Sequence, residues 1–561
     1  MSTKTEIKSE EVQAQTQSAN RLETNPNRWK ALGVLALAVS LIVIDGTIVN
    51  VALPTMIREL PLNFTQAQWV TTLYNLIFAA LLITTGRLGD SFGRRNTLTF
   101  GIVLFALGSA LAGFATGANS LLLARAIQGV GGAFVLPATL STVNATFQGR
   151  ERAKAFGIWG ATISGAAAAG PLLGGWLTTS FNWRWIFGIN LPVAVLLLIG
   201  AYLWVPQTKE TDEVAPGVVI TPLNFKTFDY LGFLFSVLGM GGVVFGLVEG
   251  RTLGWLSAKA GTWAENWSLS PAPIAIAVGL VSLVLFVVWE LKRAQAGQNL
   301  LLDVRLFKIS SFSWGNIAAL VVAMGEFGLL FVLPLYLQNV LGLSPIRSGF
   351  VLAVMALGSF LAGGLAAPLA HKIGAVGVAR LGLVLETIGV ALTALVITPT
   401  SPTWHVDLPL AIYGFGLGLA SAQLTSTILV EVPRAQSGQG SATQSTVRQL
   451  GSALGVAIIA TIMASSISAA AEGSLSGVNG LPVPAAEKIE ASVAPSAGSI
   501  IPQLREGVGK ANRIPPQARA EIADKLSDAF VSGSKTPLWA GVAFMALGVV
   551  ATTQLPRKKA D

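Results

Sequence analysis

The sequence predicts an all-α membrane protein of 14 transmembrane helices: two six-helix bundles (spans 1–6 and 9–14) plus an inserted two-helix hairpin (spans 7–8). Three observations predict it. The composition is too apolar for a soluble domain, fourteen runs are long enough to cross a bilayer, and segments of the two halves repeat at a near-constant offset.

Of 561 residues, 52% are hydrophobic and only 12% charged, with a mean hydropathy of +0.64. A soluble domain carries about 25% charged residues. The chain has no Cys, which excludes disulfides, thiolate metal sites and cysteine nucleophiles. Two histidines, His371 and His405, leave little for a zinc site, so no metal or cofactor is expected. Neither a P-loop nor a G-x-S-x-G elbow occurs, which argues against ATP hydrolysis and against enzyme activity. The net charge of +9 is spread in short clusters between apolar runs, an orientation signal and not a nucleic-acid patch.

In chain order, residues 1–30 read as a disordered cytoplasmic tail, too acidic and too long before the first apolar run for a signal peptide. An N-terminal bundle (31–204) holds spans near 31–53, 69–86, 97–116, 120–144, 153–178 and 184–204. A cytoplasmic linker (205–228) leads to the hairpin (229–290), with spans near 229–248 and 272–290, and a second linker follows (291–311). The C-terminal bundle (312–556) holds spans near 312–338, 347–370, 376–398, 407–430, 439–466 and 538–556, before a cytoplasmic tail (557–561).

Loop charge supports this count. With the N-terminus inside, sixteen Lys/Arg fall on the inner side, including Arg87, Arg94, Arg95, Arg150 and Arg448, against five in the short outer loops. That is the positive-inside bias. The outer loop 467–537 breaks it but is long enough to be exempt. Its run from Pro516 to Val531 places Ala518, Ile522, Leu526 and Phe530 at four-residue spacing, which predicts a short surface helix. The loop reads as a solvated spacer or as a lid over the exit path.

The repeat sets the architecture. Arg87–Gly93 corresponds to Pro368–Gly374, with His371 in place of Asp90; Ile127-Gln-Gly-Val-Gly-Gly corresponds to Ile412-Tyr-Gly-Phe-Gly-Leu; and Pro54 corresponds to Pro334. Parallel halves with a binding site between them near the midplane describe one large class of secondary transporter.

Two acids stand in matching positions of those halves. Asp45 lies nine residues before Pro54, and Glu326 eight before Pro334. A charged group at bilayer depth costs about 2.5–3.5 kcal/mol on insertion scales and marks function by default. Both are therefore expected to handle protons or cations, facing a shared cleft. Glu386, two turns inside span 11, reads as a titrating carboxyl or a structural one. Glu249, Glu290 and Glu431 fall near helix ends, where solvated acids are expected.

The motifs now carry a resemblance. Gly86-Arg-Leu-Gly-Asp-Ser-Phe-Gly-Arg-Arg95 resembles the loop 2–3 motif of the major facilitator superfamily. In that family the loop latches the two halves, which implies gating roles for Gly86, Asp90, Gly93, Arg94 and Arg95. Arg125-x-x-Gln128-Gly129-x-Gly131-Gly132 resembles the fourth-span motif, and implies that Arg125 takes part in proton coupling. A purely structural arginine is the other reading. Gly170-Pro171-x-x-Gly174-Gly175 resembles the fifth-span motif of proton-exchanging exporters, with Ala166 where the family has Gly. Asp45–Pro54 and Trp183–Pro192 resemble motifs of the fourteen-helix drug:proton antiporter family.

The resemblance and the acids together predict a proton-coupled exporter of hydrophobic cationic drugs or toxic compounds, driven by the proton gradient through Asp45, Glu326, Arg125 and Glu386. The expected partners are those substrates, protons and membrane lipids, with no nucleic acid. The resemblance also implies a bacterial cytoplasmic membrane, with both termini cytoplasmic. Export of an endogenous lipid, cell-envelope precursor or siderophore is the alternative, with an envelope partner at the outer loop 467–537. A proton symporter and a sensor using a transporter fold are further readings.

Overall fold

A computed structural model of the chain describes residues 26–147, 149–208, 228–298, 300–432, 437–478, 481–508 and 514–555. Residues 1–25 of the expected N-terminal tail, the expected C-terminal tail 557–561 and most of linker 205–228 lie outside the described residues, while Arg28–Lys30, expected in the disordered tail, are helical and open the first span.

The N-terminal half comprises α1 (Arg28–Glu59), α2 (Phe64–Phe92), α3 (Arg94–Gly113), α4 (Ala118–Thr146), α5 (Gly149–Ser180), a single turn α6 (Trp185–Gly188) and α7 (Asn190–Trp204). Two helices follow, α8 (Tyr230–Leu253) and α9 (Pro271–Gln295). The C-terminal half holds α10 (Ser310–Leu335), α11 (Pro345–Ile373), α12 (Ala375–Val396), α13 (Thr403–Leu429), α14 (Ser437–Ala471), the short α15 (Val483–Val493) and α16 (Ile500–Glu506), and α17 (Pro516–Thr553).

Local chemistry explains many of the boundaries. Asn63 closes a capping box with Gln66 at the start of α2, and Ser344 with Pro345 opens α11. Gly93, at φ +101°, ends α2 and lets α3 start at once. Twelve helices among the described residues are long and apolar enough to cross a membrane. The sequence predicts fourteen; α2 and α5, of 29 and 32 residues, occupy the positions of expected spans 2 and 5 but are not among the twelve.

The outer segment corrects one expectation. The run from Pro516 to Val531 is no separate surface helix but the first turns of the 38-residue α17. Its Ile522, Leu526 and Phe530 are fully buried with Val493, Ala497 and Ile501 in a compact cap. Amphipathic spacing was legible there; continuity through Pro537 was not, because a polar first half lowers the hydropathy.

Across the midline, α2 packs along α14 and α5 along α11, while α8 lies on α9 and against α2 and α14. Both described termini lie at one end of the bundle (the tail end), and the described residues 481–508 lie at the other (the loop end), where Pro495 O accepts from Phe64 N. One apolar core joins the halves at the loop end, bringing Ile48, Leu53 and Met56 of α1 together with Leu329, Leu333 and Leu337. Towards the tail end the cores divide: Leu32, Phe78, Leu98 and Phe147 cluster within the N-terminal half, and Phe312, Leu424 and Ile428 within the C-terminal half. The molecule is closed at its loop end.

Pro334 contributes to that closure. A proline inside a helix removes a backbone donor, and the chain widens into a π-turn over Tyr336–Val340. The buried amides of this turn reach outward. Gln338 Nε2 donates to Val51 O of α1 at 2.7 Å, Asn339 Oδ1 accepts from Arg58 at 3.4 Å, and Asn339 Nδ2 donates to Ala497 O at 3.0 Å.

Candidate functional site

Asp45 is fully buried, and among the described residues its polar bonds are to the N-terminal half. Arg125 Nη1 donates to its Oδ2 at 2.6 Å, while Gln128 Nε2 and Asn190 Nδ2 each donate to Oδ1 at 3.1 Å. Arg125 is satisfied in turn. Its Nε donates to Val70 O at 3.1 Å, Nη1 also donates to Gln128 Oε1 at 2.9 Å, and the guanidinium lies 4.2 Å from the centre of the Tyr74 ring. Ser109 Oγ accepts from both Gln128 and Asn190.

The helical spacing of Arg125 and Gln128 puts both on one face, and glycines bring the neighbours close enough to complete the cage. A Cβ at Gly131 would strike the Gly101–Phe105 backbone of α3, and one at Gly129 would strike Tyr74 O of α2. The result is a sealed ion pair. The expectation that Asp45 faces a shared cleft is not met in this conformation.

The C-terminal half differs. Glu326 of α10 is nearly buried, and its Oε2 lies 3.3 Å from Arg448 Nη2 of α14. Arg448 is 46% exposed. Loop-charge counting placed this residue on the inner side, at the start of the predicted span 439–466; it lies within α14 and faces a buried acid. Glu386 of α12 is fully buried, and neither carboxyl oxygen meets a hydrogen-bonding partner among the described residues. The Tyr413 hydroxyl of α13 is buried and unpartnered in the same way. Glu326, Glu386, Tyr413 and Arg448 are within electrostatic reach of one another.

The fifth-span glycines sit on the seam between the halves. Gly170 and Gly174 pack against Thr47 and Ile48 of α1, and Gly175 packs against Pro345 and Ile346 of α11. A Cβ at Gly349 would in turn meet the Pro171 carbonyl, and Thr179 Oγ1 accepts from Ile346 N at 3.1 Å. The motif therefore forms part of the loop-end closure.

In the loop 2–3 motif, Gly86 lies against Pro137, Gly93 is covered by the Gln207 side chain, and Arg94 N donates to Thr208 O at 3.0 Å. Arg94 is buried and Arg95 half-buried. The side chain of Asp90 lies outside the described residues.

The hairpin acids correct another expectation. Glu290 is fully buried and not solvated, accepting from Leu301 N at 3.2 Å, beside Asp229 at the foot of α8. Glu249 accepts from Trp69 Nε1 at 2.7 Å, while Glu431 is exposed. Ser109, Tyr74 and Tyr413 were missed by sequence reasoning. Each is a common residue in an apolar helix, and only tertiary packing brings it to an acid or an arginine.

Residues 35–456 match the Major Facilitator Superfamily. The chain is 32% identical over 459 residues to the MFS-type transporter Rv1250 of Mycobacterium tuberculosis, covering 81% of this chain and 73% of that one. It is 33% identical over 448 residues to the multidrug efflux pump LfrA of Mycolicibacterium smegmatis, covering 80% and 82%. Among solved structures, the inward-facing, unoccupied form of a bacterial homologue of the human lysosomal transporter Spinster superposes with a TM-score of 0.58. There the identity is 17%, with 96% of this chain and all of that one covered.

Proposed function

Because the chain belongs to the Major Facilitator Superfamily, and is therefore a multi-pass membrane transporter and not an enzyme, we propose that it is a proton-coupled exporter of hydrophobic cationic drugs or toxic compounds, working by alternating access. The observation that supports this best is an arginine paired with a buried acid in each half of a molecule whose halves share one apolar core at the loop end. In this reading α2 and α5 also cross the membrane, giving fourteen spans, and the tail end faces the cytoplasm as the loop charges require.

A lipophilic cation entering from the tail end meets apolar walls and the half-exposed Arg448–Glu326 pair. Protonating Asp45 removes the charge that holds Arg125, and ionising it restores the pair, so proton binding is linked to how the N-terminal helices pack. The fifth-span glycines let α1, α5 and α11 approach closely when the outer side shuts, and the loop 2–3 motif latches the opposite side. One proton moving down 100 mV supplies about 2.3 kcal/mol. The relative named as a multidrug efflux pump supports the substrate class.

The test uses everted vesicles carrying a trapped pH indicator. Ethidium added to vesicles holding the wild-type protein should release protons, and Asp45→Asn should abolish that release. Asp45→Asn vesicles that release protons as wild type does would remove Asp45 from the coupling. The folded cap built from α15, α16 and the first turns of α17 favours a second reading, export of an envelope lipid or precursor to a partner outside. Drug resistance that survives deletion of α15 and α16 would count against it.

A further inference from the structure

The C-terminal cluster contains two acids and one arginine. Arg448 faces Glu326 through a single long contact and leaves Glu386 unpaired. An ionised carboxylate without a partner, buried beside Leu383, Gly389, Val390 and Tyr413, carries a large desolvation penalty. A neutral carboxylic acid escapes most of it.

The surroundings offer no other remedy. From α13, Tyr413 packs against Gly389, one turn along from Glu386, and Gly416 lies on the Glu386 backbone. The α17 side is apolar where Val390 lies over Gly541. Among the described residues, the charged groups acting on Glu386 are Glu326 from α10 and Arg448 from α14, and α11 brings none. One guanidinium cannot neutralise two carboxylates, so the cluster is balanced by one additional proton.

We propose that Glu386 holds this proton as a neutral acid in the loop-end-closed state, and that Arg448 decides which of the two acids is charged. With Arg448 on Glu326, the proton resides on Glu386. When Arg448 turns to Glu386, the proton leaves that carboxyl and is taken up by Glu326, so the net charge of the cluster stays at zero. The half-exposed arginine is the element able to move, and it stands where a cationic substrate would compete with it for Glu326. A cation displacing Arg448 from Glu326 drives it towards Glu386, which then releases its proton. The place of this step in transport rests on the exporter reading above; the proton on Glu386 stands on the geometry alone.

Infrared difference spectroscopy on the full-length protein in lipid nanodiscs tests it without any substrate. At neutral pH, with Glu290→Gln as the common background because Glu290 is a second buried acid, the otherwise wild-type protein should show the carbonyl band of a protonated carboxyl, shifted in heavy water. Glu386→Gln should delete the band and Asp45→Asn should leave it. Glu386→Asp should move it without deleting it, which separates loss of the acid from loss of the fold. Glu326→Gln should free Arg448 to ionise Glu386, so the band should disappear at neutral pH and return only about one to three pH units lower. A wild type lacking the band, or a Glu386→Gln protein retaining it, overturns the assignment. An unchanged titration in Glu326→Gln overturns the role of Arg448. Failure of ethidium export in vesicles would contradict the exporter reading and leave this spectrum as it is.

Discussion

The two halves hold acids at corresponding depths but treat them in opposite ways. In the N-terminal half, Asp45 receives three donors and sits against one buried arginine that also bonds Val70 O and Gln128. In the C-terminal half, two acids share one arginine, which is half exposed and makes one long contact. A complete cage rigidifies and specifies its surroundings. An incomplete one is poised to exchange charge or protons. The difference assigns the N-terminal cluster to tying the charge on Asp45 to how its helices pack, and the C-terminal cluster to the exchange of charge and protons with substrate.

The largest effect separating the two belongs to Arg125→Ala. It leaves a buried carboxylate without its counter-charge, for which about 3–5 kcal/mol of destabilisation is expected. Thermal unfolding in detergent measures it, and a melting temperature equal to wild type would show that the cage is not structural. Asp45→Asn should recover part of the loss when added to Arg125→Ala, because it removes the orphaned charge.

Next comes the seam. Gly175→Leu places side-chain atoms into Pro345 and Ile346 of the other half, and overpacking of this kind costs about 1–3 kcal/mol. The penalty falls on the closed loop end alone. Cysteine accessibility should therefore rise for a probe at Gln338, a position buried in this state and reportable because the chain has no cysteine of its own. Unaltered labelling would mean that this seam does not govern closure.

A change of similar size is expected from Trp69→Phe, which removes the donor to Glu249 and with it a link between α2 and α8. About 1–3 kcal/mol is expected because the bond is to a carboxylate, and a double-mutant cycle with Glu249→Gln isolates it. Smallest of all is the effect of Glu386→Gln on stability. An amide that mimics a neutral acid should leave the melting temperature close to wild type, whereas Asp45→Asn should lower it clearly. Equal losses from the two would erase the contrast between the halves.

Much of the fold was legible in the sequence because apolar length and loop charge are local properties. Gly93 ends α2 where its motif places it, and the seam glycines lie where small residues at four-residue spacing should pack. Asp45 and Arg125 stood out because ionisable groups in oil are rare. That they bond to each other was hidden, since they are far apart in the chain and only α1–α4 packing joins them. Glu386 was ambiguous for the opposite reason: its surroundings come from four other helices, which sequence spacing does not bring together. Arg448 was read as surface charge because its helix begins with a polar stretch, Ser437–Gln449, of low hydropathy. The start of α17 was masked in the same way.

The most direct test of the contrast compares driven and undriven transport in everted vesicles, using Glu386→Gln and a lipophilic cation that the wild type exports. Gradient-driven accumulation should be lost, while exchange of labelled for unlabelled cation without a gradient should persist, because the variant keeps the neutral form but has no proton to give up. A Glu386→Gln protein that accumulates the cation against its gradient as the wild type does would contradict the account.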